Sequence, residues 1–457
     1  MSGRARRGWA AAAAGVALAA AAAAGWLRGP AGPGAAPPAG GPAAGLSPRA
    51  APPRPGAGID LAPGADLQAA VDAAPPGAVL RLAPGEYPGP VRIERPLVLW
   101  GPPAAVIRSQ GQGSTIEVRA SGVELLGFTV DGSGGRFDLL DAAVRVRGAR
   151  GVRIEGLAIT RALFGILAEQ CEELSVRGNH VSGTAAEALG MRGDGIRLWE
   201  TRHSRIEGNL VRDSRDVVVW YSSDNRIADN TVVRGRYGTH FMYSHGNEVV
   251  NNRYLDNVVG LFVMYSRQVR IEGNLLARAR GAAGMGLGVK ESGELWVRNN
   301  RLLADTTGIY LDTSPLGRDE VNRFERNELR LCGTAVVFHG RTAGNRFTDN
   351  WFQDNRAQVR LEGGGDALAA YWHGNAWDDY RGYDLDGDGF GDLPYELRSL
   401  SGELGAREPL VQFLHGTPAL GLIELVGQVF PLWRPQTVLV DARPRMRLGL
   451  PEERHAG

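Results

Sequence analysis

Asparagine residues recur at nearly fixed intervals through the middle of the chain, and this repeat restricts the possible folds more than any other feature. The intervals run from 21 residues, between Asn209 and Asn230, to 30 residues, between Asn179 and Asn209. Leu157 and Phe128 occupy the equivalent place upstream. A period of about 22 residues is typical of a solenoid in which each repeat is one turn. The repeated residues are Asn179, Asn209, Asn230, Asn252, Asn274, Asn300, Asn327 and Asn350.

Alternating apolar positions follow the repeat within each turn. Aligned segments such as GIRLW (195–199), GTHFM (238–242) and GLFVM (260–264) carry mainly apolar residues at their second and fourth positions. The third and fifth positions mix charged residues with aromatic residues and methionine. This alternation predicts a strand with one face inward. We therefore expect an all-β, right-handed parallel β-helix of the pectin-lyase type, with about 10–12 turns and a ladder of stacked Asn side chains.

The two ends of the chain differ in composition from the repeat. Residues 1–28 combine an arginine-rich start with an alanine-rich apolar run, which predicts a signal peptide. Residues 29–58 are rich in Pro, Ala and Gly and predict a disordered linker. We place the β-helix at 59–370, opened by a short capping helix, and an irregular cap at 371–457.

Charge and cysteine content limit the function further. The 51 basic and 50 acidic residues give a net charge of +1, which argues against nucleic acid as a partner. The signal peptide predicts export, to the periplasm if the host is Gram-negative. Cys171 and Cys332 lie about seven turns apart in this register, too far for a disulfide, so we expect free, buried thiols.

An outward-facing surface holds an unusual set of side chains. Two tryptophans and two methionines fall in one column on four adjacent turns, and a histidine two residues before the first methionine leaves the same face. Thioether and imidazole donors suit a soft ion such as Cu(I). The candidate copper ligands are Met242, Met264, His240 and His245.

The same surface has two other interpretations. Exposed aromatic and methionine side chains also bind protein partners. The candidate docking residues are Trp199, Trp220, Tyr243, Phe262 and Tyr265. Alternatively the column packs inward as core, although the charged residues Glu169, Lys290 and Asp312 at its ends argue against this.

A second candidate metal site lies in the acidic segment YDLDGDGFGD (383–392). Its four aspartates have a spacing like that of the oxygen ligands in an EF-hand, with Gly389 at the sharp turn. Tyr395 stands where the bidentate Glu of an EF-hand would be, so an acidic turn without metal is the alternative. The candidate Ca²⁺ ligands are Asp384, Asp386, Asp388 and Asp392.

The C-terminal region contains a possible partner-binding segment. Residues 417–433 read as an amphipathic helix that could dock on a partner or lie at a membrane surface. The tail at 393–446 is the best candidate for the partner-docking surface.

The motifs on these turns resemble those of the NosD family of periplasmic β-helix proteins. The matching phrases are GDGIRLW, GTHFMYSH, GLFVMYS, GLGVKES, GIYLDTSP and GYDLDGDGFGDLPY, and the resemblance covers about residues 60 to 446. It implies a protein that is not an enzyme and that helps to mature nitrous oxide reductase. The implied partners are the membrane subunit of an ABC transporter, a copper chaperone lipoprotein and the reductase, whose copper–sulfide centre would receive Cu(I).

The competing interpretation is a carbohydrate-active enzyme, because polysaccharide lyases and hydrolases share this fold. A hydrolase needs two carboxylates about 5–10 Å apart on one groove. Glu200 and Glu291 are separated by several turns. A lyase needs a basic residue beside its substrate, and Lys290 is the nearest candidate, although a salt bridge to Asp312 explains that pair more simply.

Overall fold

The computed structural model describes residues 52–184, 186–362, 366–399 and 436–446. Through most of these residues the chain winds into a parallel β-helix, a solenoid in which successive turns add strands to three parallel sheets. Nearly every element is a strand that pairs in parallel with its equivalent one turn later. The predicted all-β solenoid is therefore confirmed.

The three sheets run the length of the solenoid. The first sheet contains Ile59–Leu61, Ala78–Leu82, Leu97–Trp100, Glu124–Leu126, Arg153–Glu155, Ser175–Arg177, Arg205–Glu207, Arg226–Ala228, Glu248–Val250, Arg270–Glu272, Trp296–Arg298, Asn322–Glu325, Asn345–Thr348 and Tyr371–His373. The second contains Gly85–Pro88, Ala105–Arg108, Thr129–Asp131, Ala158–Thr160, His180–Ser182, Leu210–Arg212, Thr231–Val233, Arg253–Leu255, Leu275–Ala277, Arg301–Leu303, Glu328–Arg330, Trp351–Gln353 and Ala376–Trp377. The third contains Val91–Ile93, Ile116–Val118, Ala142–Arg147, Phe164–Glu169, Ile196–Trp199, Asp216–Trp220, Tyr237–Met242, Val259–Met264, Met285–Lys290, Thr307–Asp312, Thr334–His339 and Ala357–Glu362.

The solenoid is longer than the 10–12 turns predicted. The first, second and third sheets have 14, 13 and 12 strands in the described part of the chain. Phe128 and Leu157, which take the asparagine place, are fully buried. Upstream of Phe128 no asparagine marks a turn, although the second sheet already contains Gly85–Pro88 and Ala105–Arg108 there. At the other end, Tyr371–His373 and Ala376–Trp377 extend the strands past residue 370, where the sequence places the boundary.

Short elements cover the ends of the solenoid. The helix Leu67–Ala73 begins at Asp66, whose carboxylate accepts a hydrogen bond from the Ala69 N–H at 3.0 Å. Its Leu67 and Val71 side chains are buried, so it closes the N-terminal end of the core as predicted. An antiparallel pair, Tyr395–Ser399 with Gln436–Asp441, lies at the other end.

A 3₁₀ turn, Leu189–Met191, lies in the long loop before strand Ile196–Trp199.

The asparagine ladder runs through the buried interior. The backbone N–H and the side-chain Nδ2 of Asn209 both donate to Oδ1 of Asn230, each at 2.9 Å. Asn230 repeats this geometry toward Asn252, and its Nδ2 also donates to the Ile206 carbonyl at 2.7 Å. A buried amide is stable only when its polar atoms are hydrogen-bonded. Each turn therefore has to stand in register with the next.

The ladder extends beyond the residues that the repeat identifies and ends on a carboxylate. Asn350 donates to Asn375, which donates from both its backbone and its side chain to Oδ2 of Asp441, at 3.0 and 2.8 Å. The fully buried Asp441 also accepts from the N–H groups of Gly374, Trp377 and Arg443. A carboxylate only accepts hydrogen bonds, so it can pair with the N–H groups that the last asparagine of the ladder presents.

A second ladder of hydroxyl groups follows the third sheet. The backbone N–H of Ser222 donates to Oγ of Ser244 at 3.1 Å, and Ser244 donates to Ser266 at 3.0 Å. Ser266 continues to Ser292 in the same way. These side chains satisfy the backbone at the bend where each turn leaves the sheet, which explains the recurring small hydroxyl residue.

Several predictions concern residues outside the described ranges. The signal peptide at 1–28, most of the linker and the helix predicted at 417–433 all lie there. Within the ranges described above, no helix has both the length and the apolar character needed to cross a membrane. Cys171 and Cys332 are free and buried, as predicted.

We expect Asp441→Asn to destabilise the C-terminal turns by about 2–4 kcal/mol, because the new amide group places a donor against buried N–H groups. Urea unfolding measures the total loss, and hydrogen exchange should show faster exchange at Asn375. The matched control is Asp256→Asn, which breaks only a half-exposed ion pair with Arg278. Equal stability of the two variants would contradict the role given to Asp441.

Candidate functional site

The outward face of the third sheet aligns the two tryptophans and two methionines of the candidate site. Trp199 pairs with Trp220, Trp220 with Met242, and Met242 with Met264, on four consecutive turns. The strand Tyr237–Met242 has one extra residue between its first two pairs with the preceding strand, a β-bulge. Beyond Met264 the same column continues as Lys290, Asp312, His339 and Glu362.

His240 lies in the neighbouring outward column but is only 6% exposed. Its ring centroid lies 4.8 Å from that of Tyr237, 5.4 Å from Trp220 and 6.0 Å from Phe262. Burial among these rings lowers the pKa of His240 to about 3, and the charge of Arg236 acts in the same direction. The imidazole is therefore neutral at any physiological pH.

Both ring nitrogens of His240 have a partner. The Trp220 indole N–H donates to Nδ1 at 3.4 Å, and Nε2 lies 3.1 Å from the thioether sulfur of Met264. Met242 is the register partner of Met264 on the adjacent strand. A neutral imidazole and two thioethers are soft, uncharged donors of the kind that bind Cu(I). These side chains can hold one such ion between adjacent turns.

Phe262 covers one side of His240 because the next turn leaves room for its ring. Its register partner is Gly288, where a Cβ atom would come within 2.7 Å of the ring. Any other residue at this position would displace the ring. The glycine of the segment GLGVKES thus has a packing role that alternation alone does not reveal.

A network of charged residues packs against the two tryptophans. The carboxylate of Asp194, which is fully buried, binds Arg197 at 3.2 Å and Arg215 at 2.9 Å. The Arg197 guanidinium lies under both tryptophans of the column, 5.4 Å from the Trp199 ring and 4.9 Å from the Trp220 ring. Asp194, Arg197 and Arg215 are not among the residues predicted for this site, although Asp194 lies in the motif GDGIRLW.

Three tyrosines form a stack along the bend beside this face. Tyr221 and Tyr243 have ring centroids 5.4 Å apart, and Tyr243 and Tyr265 are 4.8 Å apart, with nearly parallel planes. All three adopt positive φ angles of 50–52°. Tyr243 is 42% exposed. The stack presents a continuous aromatic edge next to the candidate copper ligands.

His245 occupies the bend after the sheet. Its Nδ1 accepts a hydrogen bond from the backbone N–H of Arg267 at 3.1 Å. Partial burial and the Arg267 charge lower its pKa. Its described contacts are with this bend, whereas His240 and Met264 contact each other on the sheet face.

The charged and polar residues that continue the column beyond Met264 are joined by ion pairs and hydrogen bonds. Lys290 forms a salt bridge with Asp312 at 3.2 Å, and Nδ1 of His339 lies 3.5 Å from the same carboxylate. The Tyr310 hydroxyl donates to Glu362 at 3.2 Å. The salt bridge expected for Lys290 is present.

The acidic segment folds into an exposed loop. Carboxylate oxygens of Asp384, Asp386 and Asp388 all lie within 4.8 Å of one another. Asp384 accepts hydrogen bonds from two backbone N–H groups of the loop, and Asp388 forms an ion pair with Arg443. Asp392 accepts from the Leu385 N–H at the other end of the loop. Three of the four predicted ligands are therefore close together.

Comparison with known proteins agrees with the motifs of this face. Residues 177–382 match the family model described as periplasmic copper-binding protein (NosD). A "Probable ABC transporter binding protein NosD" of Stutzerimonas stutzeri is 29% identical over 393 residues, which cover 80% of this chain and 86% of the relative. A protein of the same name from Pseudomonas aeruginosa is 29% identical over 399 residues, covering 82% and 89%.

Solved structures with the same fold include enzymes. The mannuronan C-5 epimerase AlgE6 A-module of Azotobacter vinelandii has a TM-score of 0.55 and 17% identity, covering 70% of this chain and 97% of the module. The catalytic unit of a GH87 α-1,3-glucanase from Streptomyces thermodiastaticus has a TM-score of 0.52 and 16% identity, covering 72% and 70%. At these identities the likeness concerns the fold alone. The family match spans the candidate copper ligands and both relatives align over most of their length, so these similarities support the NosD family for this chain.

Proposed function

We propose that this protein is a non-catalytic accessory protein that receives Cu(I) from a chaperone and passes it to the copper–sulfide centre of nitrous oxide reductase. The observation that carries the proposal is the 3.1 Å contact between Nε2 of His240 and the sulfur of Met264, with Met242 beside it in register. The family description as copper-binding supports the same metal.

The chemistry of the donors fits a protein that transfers metal. Thioethers and a neutral imidazole add no negative charge, so they favour a monovalent soft ion over harder divalent ions. Met242 and Met264 are only half-buried, which leaves the ion within reach of a partner's ligands. The tyrosine stack beside them supplies aromatic surface for that partner.

The proposed partners are a copper chaperone lipoprotein, the reductase and the membrane subunit of an ABC transporter. The names of both relatives associate them with an ABC transporter, which supports the last of these. Transfer would take place in the periplasm, where the signal peptide predicted from the sequence would direct the chain.

A carbohydrate-active enzyme is the alternative, and the side chains of this face favour it less. Lys290, the basic residue closest to the column, is engaged by Asp312. The buried carboxylate of Asp194 is bound by two arginines. Release of sugars from an acidic polysaccharide by the purified protein would favour the enzyme.

We expect the double variant Met242→Leu/Met264→Leu to bind Cu(I) at least about tenfold more weakly than the wild type, a loss of ~1.4 kcal/mol or more. Leucine keeps the volume of methionine but has no sulfur donor. Competition with a colorimetric Cu(I) chelator measures the affinity. The matched control is Met191→Leu, at an exposed methionine outside the column.

The same variants test the role in maturation. A deletion strain complemented with the double variant should make reductase that lacks its copper–sulfide centre, whereas the Met191→Leu gene should restore it. A complete centre in the uncomplemented deletion strain would rule out the maturation function, and equal Cu(I) affinities would rule out this site.

We predict that Cu(I) affinity changes little between pH 7.5 and 5. A metal ligand must be a neutral imidazole, and an ordinary histidine, with a pKa near 6.5, loses affinity through this range as it protonates. The pKa of His240 is about 3, so its protonation would begin only below this window. A tenfold or greater loss of affinity at pH 5, after correction for the chelator, would contradict this assignment.

We also propose that the acidic loop binds a structural Ca²⁺ through Asp384, Asp386, Asp388 and Asp392. The clustering of the first three carboxylates supports this. Millimolar Ca²⁺ should then raise the thermal unfolding midpoint of the wild type, because a ligand that binds only the folded state stabilises it. The Asp384→Asn/Asp386→Asn variant should show no such rise. Equal responses of both proteins would exclude the loop as the site.

A further inference from the structure

The contact with Trp220 specifies where the proton of the neutral His240 ring lies. The Trp220 indole has a donor and no acceptor in its ring plane, so Nδ1 of His240, 3.4 Å away, must accept. The single ring proton is then on Nε2, which faces the Met264 sulfur at 3.1 Å. A thioether sulfur accepts hydrogen bonds, so a proton on Nε2 makes this second contact a hydrogen bond as well.

In this tautomer Nε2 carries a proton and cannot bind a metal. A copper ion needs the lone pair of that nitrogen, so the Nε2–H bond has to break. In a ring that stays neutral, the proton moves to Nδ1, where a new N–H bond forms. That bond would point at the Trp220 N–H, and the hydrogen bond between the two residues would be lost.

Trp220 is held firmly in this position. The guanidinium of Arg197 lies 4.9 Å from its ring centroid and is itself fixed by the buried carboxylate of Asp194 at 3.2 Å. The Trp199 ring packs against Trp220 edge-on, at 6.1 Å. The indole therefore has little freedom to turn away when the proton moves.

We propose that Trp220 is a positioning residue that keeps the proton of His240 on Nε2 and so lowers the affinity of the site for Cu(I). The inference rests on the proposed function, because it takes His240 and Met264 as copper ligands. Its consequence is a site that holds the metal weakly enough to pass it on. Trp220 thus acts against tight binding, although it stands in the same column as the methionines.

The test compares Trp220→Phe with the wild type. Phenylalanine keeps an aromatic ring but has no N–H, so Cu(I) should bind about two- to tenfold more tightly, from ~0.5–1.5 kcal/mol for one hydrogen bond and ~1.4 kcal/mol per tenfold. Trp296→Phe is the matched control, since Trp296 is an exposed tryptophan on the first sheet and has no contact with His240 or Trp220 among those described. Its affinity should equal that of the wild type.

A readout without copper comes from nitrogen NMR of the imidazole rings in protein labelled with ¹⁵N-histidine. The chain has 8 histidines, and the spectrum of His240→Gln assigns the signal of His240. We expect Nε2 protonated in the wild type and in Trp296→Phe, and a mixture of tautomers in Trp220→Phe. A benzothiophene analogue of tryptophan at position 220 removes only the N–H and should match Trp220→Phe, which excludes a general packing defect.

The outcomes separate this inference from the proposed function. A wild-type ring protonated on Nδ1, or unchanged or weaker Cu(I) binding in both position-220 variants, would overturn the role of Trp220 while the methionine variants still tested the copper site. Equal Cu(I) affinity in the wild type and in Met242→Leu/Met264→Leu would overturn the copper site itself, whichever tautomer the spectra showed.

Discussion

The chain of amide hydrogen bonds through the interior is the interaction on which the rest of the structure depends. Each ladder asparagine accepts a hydrogen bond from the preceding turn with its side-chain oxygen and donates one to the following turn with its Nδ2. Asn230 does so between Asn209 and Asn252. Because the ladder is buried, a shift of one residue would leave several polar groups without partners. Register is therefore fixed turn by turn.

Fixed register is also what makes a functional face possible. Residues about 22 positions apart in the chain become neighbours in a column, and every second side chain of a strand joins the same face. His240 and Met264 are 24 residues apart and in contact only because their turns are aligned. The neutral state of His240 follows from the aromatic rings that the same alignment packs around it.

The sequence predicts the fold and the membership of this column well, since both follow from periodicity. The third-sheet register of Trp199, Trp220, Met242 and Met264 can be read directly from the aligned segments. Burial of His240, in contrast, depends on ring orientations and on the space above Gly288, which no periodic pattern contains. Asp194 binds Arg197, three residues later in the chain, and Arg215 from the next turn, and the second pairing is a tertiary property. The turns before Phe128 were undercounted because no asparagine marks them.

The way the ladder ends has a consequence for how the protein is made. Asn375 is the last asparagine of the row, but the carboxylate that accepts its hydrogen bonds belongs to a residue 66 positions later. A chain synthesised from its N-terminus can stack its turns one after another, yet the final amide remains without its acceptor until Asp441 is made. Completion of the solenoid is thus tied to completion of the polypeptide, and a chain truncated in its last segment would keep an open, strand-pairing end.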